Sequence, residues 1–104
     1  MRFTRAWSGK TPANPKSRSM ISSTEASFRK RFEKLSPAIQ RATIENYGLW
    51  QRNPWDPSLH FKKVGDYWSV RIADGYRALA TKSGERITWF WIGSHDEYVR
   101  IIRS

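Results

Sequence analysis

Four side chains able to handle a phosphodiester fall in the last third of this sequence: Arg71, Arg77, His95 and Tyr98. A guanidinium stays charged and binds phosphate oxygens in pairs. An imidazole exchanges protons near neutral pH, and a phenol can stack on a base or relay a proton. Metal-free RNA cleavage needs these functions: a base for the 2′-OH, an acid for the leaving 5′-oxygen, and cations facing the phosphorane-like transition state. The two histidines, His60 and His95, are 35 positions apart, and with scattered carboxylates and no cysteine they define no metal site. No Gly-rich phosphate loop and no nucleophilic triad is present, so neither metal nor cofactor is expected.

The elements that must hold these residues are legible in the pattern. Leu59 to Val64, Tyr67 to Ile72, Tyr76 to Thr81 and Arg86 to Ile92 read as strands. Gly65-Asp66, Ala73-Asp74-Gly75 and Ser83-Gly84 supply turns of hairpin length. Alternation puts Trp68, Val70 and Ile72 on one face of their strand, with Tyr67, Ser69 and Arg71 on the other. Regular alternation likewise predicts Trp89 and Trp91 together as packing residues, with Phe90 opposite, in a strand apolar on both faces. Gly93 is expected to end that strand, and Ser94 to cap a closing helical turn.

Upstream, Met20 and Ile21 could begin a first strand. Ser22 and Glu25 have capping-box spacing, and Phe28, Phe32 and Leu35 form one helical stripe. Ser36-Pro37 restarts a helix that carries Ile39, Ala42 or Thr43, Tyr47 and Trp50 inward and ends near Gly48 to Trp50. The expected fold is α+β: an N-terminal helical hairpin packed on one face of a twisted, mainly antiparallel sheet of four to five strands, with a short C-terminal helix.

Residues 1–19 read as a disordered basic arm, whose Ser8 to Ser19 stretch has little to bury, and residues 20–104 as one domain. An internal start at Met20 would remove the arm and leave the domain whole; a nucleic-acid-binding tail is the other reading. The chain carries 19 Lys and Arg against 9 Asp and Glu, a net charge of +10. Five of the basic residues lie in the arm, so the domain is basic in its own right, which points to a polyanionic partner; charge that serves only solubility is the other reading. Six Trp, five Phe and four Tyr supply bulk for a small core. No apolar run is long enough to span a bilayer and no secretory signal begins the chain; a reducing cytoplasm suits the absence of cysteine.

The segments F-R-K-R-F-E-K-L-S-P-A-I-Q, N-P-W-D-P-S-L-H-F-K-K-V, W-S-V-R-I-A-D-G-Y-R-A-L and I-T-W-F-W-I-G-S-H-D-E-Y resemble, in that order, the RelE/ParE toxin superfamily, and more closely its ParE-like members. The most specific pieces are G-Y-R-A-L at Gly75 to Leu79 and I-G-S-H-D-E-Y at Ile92 to Tyr98. The resemblance spans about residues 20–104 and implies the toxin of a type II toxin–antitoxin pair. It implies a partner antitoxin with an acidic segment, and one of two targets. RelE-type members cut mRNA on the ribosome without a metal, whereas ParE-type members act on DNA gyrase without nuclease chemistry. An inactive module that binds only antitoxin and operator DNA is a third reading.

On that resemblance Arg77 is the candidate for phosphate stabilisation, the alternative being an ion pair with Asp74, Asp96 or Glu97. His95 takes the position at which nuclease members carry Arg or His, or else is an ordinary helix-start residue. Tyr98 matches the carboxy-terminal tyrosine, or packs on Trp91. Arg71, Lys62, Lys63 and His60 are candidates for nucleic-acid contact. Lys62 and Lys63 would face opposite ways, so at most one reaches the site, and both equally suit a charged sheet edge. His60, between Leu59 and Phe61, also suits a structural role.

Overall fold

The computed structural model describes residues 21–103; the arm at 1–19, Met20 and Ser104 lie outside the described residues. Within them the order is β1 (Ile21–Thr24), α1 (Ala26–Glu33), α2 (Pro37–Arg52), a 3₁₀ turn (Pro57–Leu59), β2 (Lys62–Val64), β3 (Tyr67–Ala73), β4 (Tyr76–Ser83), β5 (Arg86–Ser94) and α3 (His95–Arg103). The five strands form one sheet in the order β1-β5-β4-β3-β2. β1 runs parallel to β5, and the other neighbours are antiparallel. The expected α+β architecture is the one observed.

The first face of the sheet is covered by α1 and α2. Phe28 and Phe32 from α1 and Tyr47 and Trp50 from α2 pack on Val70, Ile72, Ala78, Ala80, Ile87 and Trp89. Ser36 begins α2 by accepting the Ile39 N–H at 3.3 Å, with Pro37 at the first helical position. The buried Trp50 and Trp89 rings cross edge to face at 5.5 Å. The second face holds a smaller cluster, in which Leu79, Trp91 and Tyr98 are joined by Tyr67, Phe90, Val99, Ile101 and Ile102. Here α3 covers only part of the sheet.

Four features depart from the sequence reading. Trp89 and Trp91 do not share a face. The β4–β5 register pairs Leu79 with Trp91 but Ala80 with Trp89, so Phe90 is the extra residue of a β-bulge. That one residue sends Trp89 into the helix-covered core and Trp91 under α3. Second, Leu59 to Phe61 is not strand. Asp56 accepts the Ser58 N–H and hydroxyl at 3.0 and 2.7 Å, closing a 3₁₀ turn that buries Leu59. His60 then leaves that turn in the left-handed region at φ 48°.

Third, Ser22 caps no helix. It is buried in β1 with its hydroxyl against the Tyr47 phenol, and Glu25 takes the N-cap position without a side-chain bond. Fourth, α2 runs to Arg52, and β5 continues through Gly93 to Ser94.

Candidate functional site

The β3–β4 register sets Arg71 opposite Arg77, and the β4–β5 register sets Arg77 opposite Gly93. All three belong to the second face, in line with Ser69, Leu79 and Trp91. A side chain at Gly93 would crowd this row: a Cβ there would lie 2.7 Å from the Trp91 ring, 2.9 Å from Glu97 and 3.0 Å from Arg31. Glycine here lets the Trp91, Glu97 and Arg31 side chains close over the strand position opposite Arg77.

The turn between β3 and β4 gathers two of the candidates. Gly75 takes φ 81°, a left-handed conformation that glycine adopts without steric cost. Its carbonyl accepts the His95 backbone N–H at 2.8 Å, which fixes the start of α3 against the turn. Arg77 reaches the same turn through Nη1, donating to the Tyr76 carbonyl at 2.9 Å and more weakly to that of Ala73 at 3.4 Å. Arg77 and His95 are thus brought to one end of the sheet by the same four residues.

Charge pairing distinguishes the arginines. Arg71 lies 3.7 Å from the fully exposed Asp74, a geometry worth little in water. Glu97 pairs with Arg31 at 3.2 Å. Half-buried Arg77 has no carboxylate within ion-pair distance among the described residues. Its bonds to neutral carbonyls hold the group in place and leave its charge uncompensated.

His95 is exposed at the first position of α3, with its ring 5.6 Å from that of Tyr98. Tyr98 is 6% exposed, in contact with Leu79 and Trp91, and its hydroxyl meets that of Ser69 at 3.1 Å. Its phenol is therefore packed beneath the imidazole. The start of α3 is secured by a reciprocal pair: Ser94 Oγ accepts the Glu97 N–H at 3.3 Å, and Glu97 accepts the Ser94 N–H at 3.4 Å. Slight burial opposes ionisation of Glu97, but the Ser94 N–H, the Arg31 charge and the Ser94 hydroxyl outweigh it and hold the carboxyl below its usual range.

Lys62 is opposite Ser69 and Lys63 opposite Trp68, so Lys62 belongs to the second face and Lys63 to the first. Both are exposed, as is His60. His60 is carried on the 3₁₀ turn, apart from the β3–β4 turn that gathers Arg77 and His95.

Two residues passed unnoticed in the sequence. Beyond the end of β1, the outer edge of β5 is closed from α1: Ser27 Oγ donates to the Phe90 carbonyl and Arg31 Nε to that of Ile92, at 2.9 and 2.8 Å. The Arg31 guanidinium also lies over the Trp91 ring at 5.1 Å. It ties α1, β5 and α3 together, and its place beside the Phe28–Phe32 stripe was the available signal. Trp55 is 61% exposed, a large aromatic set between two prolines in a loop without periodicity. Among the described residues no group of His, Asp and Glu is placed to hold a metal, and no helix is long and apolar enough to cross a membrane.

A helical hairpin over a mixed sheet closed by a short helix is the fold of solved RelE toxins. The chain is similar to the RelB–RelE antitoxin–toxin complex of Methanococcus jannaschii, with TM-score 0.61 and 15% identity over 75% of this chain and 95% of that one. It is also similar to RelBE2 of Mycobacterium tuberculosis, with TM-score 0.55 and 20% identity over 71% and 95%. The isolated RelE toxin of E. coli gives TM-score 0.55 and 11% identity over 82% and 97%. No curated protein matches the sequence. The ParE-like toxin domain matches residues 37–100, more than half of the chain, and the protein belongs to that family.

Proposed function

We propose that the protein is the toxin of a toxin–antitoxin pair and that it cuts mRNA in the cytoplasm, on the ribosome and without a metal. Family membership and the antitoxin complexes among its structural neighbours support the toxin role. The nuclease reading rests on one observation: Arg77 is half-buried, fixed to the β3–β4 turn, and without a carboxylate among the described residues. Of the carboxylates that could neutralise a purely structural arginine, Asp74 pairs with Arg71 and Glu97 with Arg31, and Asp96 makes no ion pair with Arg77.

His95 takes the proton from the 2′-OH as that oxygen attacks phosphorus. The bond to the 5′-oxygen breaks, and the imidazolium, or a water in contact with it, returns a proton to the leaving oxygen. The products are a 2′,3′-cyclic phosphate and a 5′-hydroxyl. Arg77, with Arg71 one strand away, faces the charge that builds on the phosphorane, and preorganised cations are commonly the largest single contribution to such catalysis. Tyr98 positions His95 by packing beneath it. Lys62, and outside the site Lys63 and His60, contact flanking phosphates. The antitoxin is expected to lay an acidic segment over this basic face.

The ParE-like assignment favours a second reading, inhibition of DNA gyrase, in which the same face is only a docking surface. Induced expression with protein synthesis and DNA supercoiling followed together separates the two. The nuclease reading requires translation to stop first while supercoiling holds; loss of supercoiling with translation continuing would replace it with the gyrase reading.

A further inference from the structure

Trp55 is the one large aromatic among the described residues with most of its surface in solvent. It is held in place. Its ring rests on Phe61 at 5.1 Å and on Trp68 at 6.2 Å, and Phe61 is itself buried against Trp50 and Trp89. A side chain needed only for the core has no reason to stand on top of it. Lys63 is exposed on the strand position opposite Trp68, on the same face. The adjacent carboxylate, Asp56, is turned into the 3₁₀ turn by its bonds to Ser58.

A path connects this ring to the Arg77 end of the sheet. β2 pairs with only the first three residues of β3; beyond them no strand among the described residues covers that edge, and the Asn46 amide from α2 donates to the Ile72 carbonyl there. Along it lies a notch of about 200 Å³ lined by Ser58 and Arg71 among others. Ser58 is three residues beyond Trp55, in the 3₁₀ turn that follows it, and Arg71 is the strand partner of Arg77. We propose that single-stranded RNA leaves the Arg77–His95 site over this edge of β3, past Arg71 and Ser58, and stacks a base on Trp55 with a phosphate near Lys63. This rests on the RNA-cleaving reading and extends it with a second, sequence-tolerant subsite. Charge complementarity selects the occupant: the described residues carry 14 basic against 9 acidic side chains, a net +5. An exposed ring on a domain of net positive charge suits a stacked nucleobase.

The test uses the full chain with a trinucleotide and a decanucleotide, both unstructured and 2′-O-methylated so that they bind without being cut, with affinity read by fluorescence anisotropy. Trp55→Ala is expected to weaken decanucleotide binding by about tenfold, Trp55→Phe by far less, and neither to change trinucleotide binding. Lys63→Ala should flatten the salt dependence of the decanucleotide. An unchanged decanucleotide affinity in Trp55→Ala, with Arg77→Ala still weakening both probes, would overturn the subsite and leave the cleavage site standing. If Arg77→Ala also changed neither probe, the RNA reading itself would fail. Equal loss on both probes in Trp55→Ala would overturn the subsite, whether or not Trp55→Phe restored binding, because the ring would then act through packing on Phe61 and Trp68.

Discussion

Arg71 and Arg77 face each other across the β3–β4 ladder, yet only Arg71 has a carboxylate beside it. Two like charges directly opposite are ordinarily unfavourable on a sheet. Asp74 relieves one of them at the surface, and the other has no carboxylate beside it among the described residues. Arg77→Ala is therefore expected to lower RNA cleavage by about 10²–10³-fold while leaving thermal stability unchanged or slightly raised. Arg71→Ala should cost less activity. Cleavage assays paired with melting curves check both, and Arg77→Lys, which loses the two-pronged contact, should recover little.

His95 and Tyr98 should separate by what each variant damages. His95→Ala is expected to lower cleavage by about 10²–10⁴-fold with little change in folding, because the ring is exposed. Tyr98→Ala opens the second core and should cost about 3–5 kcal/mol in denaturant unfolding. Tyr98→Phe loses only the contact with Ser69, about 1 kcal/mol, and should keep most activity if the ring acts by packing. A large activity loss in Tyr98→Phe with stability intact would make the hydroxyl a chemical participant.

Gly93→Ala tests how tightly this end of the sheet is packed. Its methyl would meet Trp91, Glu97 and Arg31 at 3.0 Å or less, and Trp91 is packed under α3. Overpacking of this kind costs about 1–3 kcal/mol. The variant should melt earlier, and it should also lose activity because α3 carries His95.

Tyr47 predicts an alkaline limit to stability. Burial pushes its phenol up, and the bond to Ser22 only partly offsets this. Because the folded value lies above the unfolded one, near 10, the stabilisation is fully present below about pH 10 and disappears as pH rises through the folded value. Tyr47→Phe should flatten unfolding free energy between pH 9 and 11, measured in urea, relative to wild type.

The meander was legible because its signals are local. Gly65, Gly75 and Gly84 all take positive φ at the turns their sequence announced, and the Phe28–Phe32–Leu35 stripe faces the core as its spacing requires. What failed depended on partners distant in sequence. Ser22 and Glu25 have a capping spacing, but Tyr47 claims the serine. The Trp89–Phe90–Trp91 run alternates in sequence, and only pairing with Leu79 and Ala80 creates the bulge that separates the two indoles. Of the candidate site, Arg77, His95 and Tyr98 were singled out by residue type and resemblance, whereas the meeting of Arg77 and His95 on the Ala73–Tyr76 turn was not readable from the sequence. Arg31 had only its place beside the helical stripe to mark it, because its contacts are to an edge carbonyl, a ring and a carboxylate about 60 residues away.

The central claim is that Arg77 and His95 act together on one phosphodiester, and mapping mRNA ends on translating ribosomes tests it most directly. Purified wild-type protein should generate new 5′-hydroxyl ends within coding sequence in the presence of a chelator, and Arg77→Ala and His95→Ala should each abolish them. Ends that persist in both variants, or no new ends with wild-type protein that still arrests growth, would contradict it.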